Sequence, residues 1–338
     1  MEEQESVLVT GGSGYLGVQC ILHLLLKQYA VKTTIRTESK KKQVLESLKA
    51  GGINNFDKLS FIEADLTSDK NWDIAVKGCK YVLHVASPFP AVDPENEDEV
   101  IIPARDGVLR VLKASEKAGV KRVVLTSSFA AIGFSKSPKN HLFTEKDWTD
   151  VNVPLTPYIK SKAIAEKAAW DFIKNEGKEM ELTVINPVGI FGPLLAGNYS
   201  ASIEHALLGI LNGDIKETPK WTFNIVDVRD TADIHLAAMT NPKAAGERFL
   251  VASGEAMSFF DIAALISKER PQRAANISPS LKPIDADFYV HLSTDKAETI
   301  LGWAPRSKEE TILETVDTLD ISKRTMLSGP ADLTVQHA

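Results

Sequence analysis

Ser6-Val-Leu-Val-Thr10 runs directly into Gly11-Gly-Ser-Gly-Tyr-Leu-Gly17, and this stretch decides the fold. The first five residues form a short β-branched run, which predicts a strand. An apolar-periodic segment over residues 15–28 predicts a helix. Strand, glycine turn and helix in that order are the context that gives a glycine motif meaning. The spacing is Gly11-x-x-Gly14-x-x-Gly17. Glycines there allow a tight turn, let the backbone approach a pyrophosphate, and let helix pack close on strand. The helix N-terminus then faces the phosphates.

Downstream, strand and helix patterns alternate. Val31-Lys-Thr-Thr-Ile35 predicts a second strand, followed by Arg36 and then Lys40-Lys-Lys42. An acidic residue at this place binds the ribose 2′-OH of NAD, whereas a basic one favours the 2′-phosphate of NADP. Arg36, with Lys40 behind it, therefore leans toward NADP(H). The bland alternative is that the lysines are the solvated start of a helix. Further strands are expected at residues 59–63, 81–85, 122–126 and 181–185, with Asp65-Leu66 and Ala86-Ser-Pro-Phe89 at strand ends. His84 lies inside an apolar strand and reads as a packed core histidine. The alternation predicts an α/β fold, a Rossmann-type doubly wound parallel sheet with a smaller C-terminal substrate lobe. Residues 5–191 are expected to form the dinucleotide-binding domain. Residues 192–327 are mostly the substrate lobe, with some elements returning to the main sheet. The polar tail, 328–338, is expected to be disordered.

Composition narrows the class of partner. The 338 residues carry 39 Lys and Arg against 45 Asp and Glu, a net charge of −6. This acidic balance argues against nucleic acid or an anionic membrane as the main partner. Cys20 and Cys79 make neither a disulfide framework nor a metal spacing, and no His/Cys/Asp/Glu cluster has ligand spacing, so no metal is expected. The N-terminus lacks the basic and apolar regions of a secretory signal, and no apolar run is long enough to cross a bilayer. A cytoplasmic location is expected.

The chemistry is expected at Thr156-Pro-Tyr-Ile-Lys-Ser-Lys162. Pro157 suits a first helical turn, and the residues that follow are strong helix formers. Tyr158 and Lys162 are one turn apart, so phenol and ammonium project from one face. A nearby ammonium is expected to lower the phenol's pKa. Such a phenol can protonate a carbonyl oxygen that is receiving a hydride. The fifth strand ends in Thr126-Ser-Ser-Phe129, whose hydroxyls can reach a cleft at the sheet's carboxyl edge. Strand-end capping is the alternative for that run.

Together these residues resemble an extended short-chain dehydrogenase/reductase, of the branch containing dihydroflavonol reductase, cinnamoyl-CoA reductase and yeast-type methylglyoxal or aldehyde reductases. The resemblance spans about residues 5 to 325. It rests on the glycine turn, Asp65-Leu66, His84-Val-Ala-Ser-Pro-Phe89, Thr126-Ser-Ser128, Tyr158-x-x-x-Lys162, Asn186-Pro187, Phe191-Gly-Pro193 and Asp227-Val-Arg-Asp230. It implies that Ser128, Tyr158 and Lys162 are catalytic, with Lys162 also on the ribose. It implies dinucleotide contacts from Gly11, Gly14, Tyr15, Leu16, Gly17, Arg36, Lys40, Asp65, Leu66, Ala86, Ser87, Thr126, Pro187 and Val188. Phe89 and Phe129 match pocket walls. One departure is Pro103-Ala-Arg-Asp-Gly107, which places Asp106 where many relatives carry Asn. The expected activity is NADPH-dependent reduction of an aldehyde or ketone, a small-molecule substrate, by a monomer or homodimer. The alternatives are a nucleotide-sugar epimerase or dehydratase on the same fold, and a non-catalytic NADP-binding protein.

Overall fold

The computed structural model describes residues 5–88, 96–196 and 199–319. Phe89 and the 328–338 tail lie outside the described residues. In chain order come β1 (Ser6–Thr10), α1 (Tyr15–Leu26), β2 (Ala30–Ile35), α2 (Glu38–Ala50), β3 (Leu59–Glu63), α3 (Trp72–Val76), β4 (Tyr81–His84), α4 (Asp98–Lys117) and β5 (Arg122–Thr126). There follow β6 (Leu142–Phe143), α5 (Pro157–Glu176), β7 (Glu181–Pro187), β8 (Gly189–Phe191), α6 (Gly209–Leu211), β9 (Thr222–Phe223), β10 (Ile225–Asp227), α7 (Val228–Thr240) and β11 (Arg248–Val251). The last elements are β12 (Met257–Ser258), α8 (Phe259–Glu269), β13 (His291–Leu292), α9 (Asp295–Leu301) and α10 (Lys308–Thr318).

The main sheet has seven strands in the order β11-β7-β5-β4-β1-β2-β3, all paired in parallel. The chain runs outward from β1 through β2 to β3, then crosses back to β4 on the other side of β1. The direction of winding therefore reverses between β1 and β4, and a ligand crevice opens beyond the carboxyl ends of those two strands. Successive side chains alternate between faces. Val7 and Val9 join the core under α1, α2 and α7, while Leu8 joins the one under α3, α4 and α5. Both faces are covered, which explains the nearly continuous apolar runs of β1 and β5.

Part of the second half of the chain returns to this sheet. β11 pairs with β7 at its edge, and α7 packs on α1. Arg122, which opens β5, is 1% exposed. Its guanidinium pairs with Glu181 at 2.7 Å and donates to the carbonyls of Ala238 and Asn241, each at 2.6 Å. Those carbonyls belong to the C-terminal end of α7, where a cation is favoured, so Arg122 pins that helix to the base of the sheet.

Two features differ from the sequence-based expectation. Residues 135–155 read as loop, yet contain β6, which pairs with β13. A two-residue strand is too short to show alternation. The amphipathic pattern over residues 309–324 reads as a final helix, whereas α10 ends at Thr318, and the residues from 320 onward lie outside the described set. Among the described residues no helix is long and apolar enough to cross a membrane.

Candidate active site

The glycine turn is built for close approach. Gly11 has φ +69°, and a Cβ there would stand 2.9 Å from that of Ala86. A Cβ on Gly17 would stand 2.3 Å from the Gly11 carbonyl oxygen, so α1 could not begin where it does. Gly12, which the spacing pattern left unmarked, is equally constrained: a Cβ would stand 2.0 Å from Thr33 Oγ1. Gly14 caps α1 without a side chain, and the first turn has no acidic residue. The first N–H groups of α1 lack intrahelical partners, as at any helix start. This uncapped end, bare of carboxylates, fits an anionic pyrophosphate.

Tyr15 and Leu16 are both buried in the core cluster. The Tyr15 hydroxyl donates to the Gly192 carbonyl at 2.6 Å. Burial, and next the Asp227 charge, push this phenol up, so it keeps its proton. Tyr15 thus ties α1 to the chain after β8.

Across the crevice, the Thr10 hydroxyl accepts from the Ala86 N–H at 3.0 Å and meets His84 Nδ1 at 2.8 Å. His84 is fully buried, as expected. Burial, and then the Lys162 charge, bring its pKa down to about 3.

At the end of β2, Arg36 is exposed and forms no ion pair among the described residues. The lysines behind it belong to α2. Lys40 donates to Gln43 at 3.1 Å, Lys41 pairs with Glu38 at 3.1 Å, and Lys42 lies 3.8 Å from Glu46. Asp65 accepts from the N–H and hydroxyl of Thr67. These bonds, with Arg36 nearby as a smaller cause, hold its carboxyl below the usual range. Leu66 packs against Gly107 of α4, where a Cβ would stand 3.0 Å away.

Pro157 fills the first position of α5, as the sequence predicts, and Thr156 caps the helix. Ser128, in an extended conformation after β5, caps a short 3₁₀ turn over Phe129–Ala131 and accepts the Ala130 N–H at 3.1 Å. The Ser128 hydroxyl also hydrogen-bonds the phenol of Tyr158. Burial raises the Tyr158 pKa above its ordinary value, and the Ser128 bond partly offsets this. This corrects the expectation of a phenol lowered by Lys162. The Lys162 ammonium lies 5.5 Å from the Tyr158 ring centre and donates instead to Ser87 Oγ at 2.7 Å. Burial brings Lys162 down to about 8.

Pro187 ends β7 beside Val251, and Val188 follows, packed between the core and a smaller cluster. That cluster holds Phe129, whose ring covers Gly133 and meets Phe134 and Phe143 edge-on at 5.5 and 5.4 Å. Thr126 turns to a second buried histidine, with Oγ1 2.7 Å from His235 Nε2. Asp106 pairs with its neighbour Arg105 at 2.8 Å.

Sequence reading missed Glu166. It lies one turn beyond Lys162 on the same stripe of α5, and is 1% exposed. Ser127, the neighbour of Ser128, donates to it at 2.5 Å. The 158, 162, 166 spacing was the signal that could have found it.

Comparison with known proteins gives the family. The sequence matches the NAD dependent epimerase/dehydratase family over residues 7–252. A cinnamoyl-CoA reductase of Medicago truncatula is 33% identical, over 94% of this chain and 96% of the relative. A dihydroflavonol 4-reductase of Arabidopsis thaliana is 30% identical, over 94% and 83%. The crystal structure of yeast methylglyoxal/isovaleraldehyde reductase complexed with NADPH superimposes with a TM-score of 0.80 at 29% identity, covering 93% of this chain and 97% of that one. With its glycine cradle at the β1–β4 crevice and Ser128, Tyr158 and Lys162 at the neighbouring strand and helix ends, the chain belongs to the NAD dependent epimerase/dehydratase family, as an extended short-chain dehydrogenase/reductase.

Proposed function

We propose that the chain is an NADPH-dependent reductase of aldehydes or ketones, with Tyr158 as proton donor. The observation that carries this reading is the gathering of Ser128, Tyr158 and Lys162 at one place, with the Ser128 side chain reaching the phenol and the Lys162 ammonium 5.5 Å from its ring centre. The cofactor supplies a hydride to the carbonyl carbon, and the protein supplies binding, orientation and a proton. The N-terminus of α1 would hold the pyrophosphate, Arg36 the 2′-phosphate, and Asp65 and Leu66 the adenine. Ala86, Ser87, Pro187 and Val188 line the way to the reacting end.

The raised pKa of Tyr158 suits reduction. A phenol above its ordinary value of about 10 is fully protonated at neutral pH, so the acid form is the resting form. As negative charge grows on the carbonyl oxygen, Tyr158 gives its proton there and Ser128 donates a hydrogen bond to the same oxygen. Lys162, charged at neutral pH, stands one turn further along the same helix, 5.5 Å from the Tyr158 ring centre. It can turn from Ser87 to hydrogen-bond a ribose hydroxyl.

Purified protein mixed with NADPH is the test. Loss of nicotinamide absorbance only when a carbonyl compound is added supports the reading. A panel of aldehydes, α-ketoesters, aryl ketones and flavonoids would define the substrate class. No oxidation with any of them, while NADPH still binds, would favour a non-catalytic NADP-binding protein.

A further inference from the structure

Behind the catalytic serine lies a buried polar cluster to which the reaction assigns no part. Both oxygens of Glu166 are fully used. Oε2 accepts from Ser127 Oγ at 2.5 Å and from Asn186 Nδ2 at 2.7 Å. Oε1 accepts from Arg248 Nε at 2.5 Å and from Trp170 Nε1 at 3.2 Å. Arg248 comes from the edge strand β11. It stacks on Trp148 at 3.7 Å and donates to the carbonyls of Glu145 and Asp147 at 2.7 and 3.0 Å. Asn186 has a second acceptor, the main-chain carbonyl of Ser128, at 3.1 Å. Glu166 therefore grips the chain at Ser127 directly and at Ser128 through Asn186, from the helix that carries Tyr158 and Lys162.

We propose that Glu166, neutralised by Arg248, is a positioning residue that fixes the Ser128 main chain so that its hydroxyl meets Tyr158 and the substrate oxygen. This rests on the catalytic reading of Ser128 given above. Buried charges are maintained only when paired and hydrogen-bonded, and this pair lies where a small displacement matters. A misplacement of about 1 Å can cost on the order of a hundredfold in rate.

The test compares Glu166→Gln, Ser128→Ala and the two together in the full chain. Glu166→Gln turns an amide N–H toward donors, so it loosens the cluster while keeping its shape. Because it also strands the Arg248 charge, a neutral pair, Glu166→Gln with Arg248→Met, is made alongside it to keep the fold. In each folded variant kcat should fall at least about tenfold, while KM and the NADPH dissociation constant change less than about twofold. Added to Ser128→Ala, Glu166→Gln should cost little more, since residues that act through one group are not additive. If Ser128→Ala is costly but the folded Glu166 variants keep kcat, or the losses multiply independently, the positioning role is overturned alone. If Ser128→Ala leaves kcat unchanged, the catalytic reading falls and takes this role with it.

Discussion

Lowering the pH from 7 to 5 should destabilise the protein through two buried histidines. His235 is fully buried with both ring nitrogens in use. Its Nδ1 lies 2.6 Å from the Thr231 carbonyl, which can only accept, so Nδ1 carries the proton and Nε2 accepts from Thr126. Burial brings its pKa to about 4, with the Thr231 bond opposing, and His84 stands at about 3. Both folded values lie below the unfolded value of about 6.5. The unfolded chain therefore takes up protons first, and stability falls as pH drops below about 6.5, levelling off only at the folded values. At pH 5 each histidine costs about 2 kcal/mol, or on the order of 4 kcal/mol together, at 1.36 kcal/mol per unit. Asp65, Asp147 and Asp233, whose carboxyls are held low, add little there, because their contribution is lost only below about pH 4. Urea unfolding followed by tryptophan fluorescence at pH 7 and pH 5 measures the loss. In His235→Gln the loss should shrink by about 2 kcal/mol. A loss under about 1 kcal/mol in the wild type, or an unchanged loss in the variant, would refute the reasoning.

Two further substitutions probe the site. Ser128→Ala should lower kcat far more than Ser127→Ala, because the Ser127 hydroxyl faces Glu166 and not Tyr158; the reverse ranking in steady-state kinetics would contradict the geometry. Arg36→Ala should weaken NADPH binding roughly ten- to a hundredfold and NADH binding much less, since a hydrogen bond to a charged group contributes about 1.5–3 kcal/mol. An NADPH/NADH ratio of kcat/KM that does not fall in that variant would show that Arg36 plays no part in phosphate recognition.

The sheet was legible because its signals are local. Leu59–Glu63 and Arg122–Thr126 are strands where the sequence placed them, and Gly11 adopts the positive φ that the turn requires. Pro157 marks the start of α5 in the same way. What stayed hidden depends on residues far apart in sequence. The pairing of β6 with β13 joins segments separated by about half the chain, and neither strand is long enough to show a period. Arg122 reads as an ordinary strand residue until α7 presents its carbonyls. Tyr158 and Lys162 were placed correctly on one face, but their electrostatics were not. Spacing does not encode burial, and burial decides the direction in which the phenol moves. Tyr15 was expected at the cofactor, but nothing in the sequence showed that its hydroxyl reaches Gly192, 177 residues away.

The central claim is that Tyr158 gives the proton to a carbonyl oxygen, and Tyr158→Phe tests it most directly. The substitution removes one hydroxyl from a half-buried site and leaves the ring, so the fold and NADPH affinity should persist. NADPH oxidation with an accepted carbonyl substrate should fall by at least about a hundredfold, the low end for general acid catalysis. A folded, NADPH-binding Phe variant that turns over within about tenfold of the wild type would contradict the assignment, because less than about 1.4 kcal/mol of barrier would then depend on that hydroxyl.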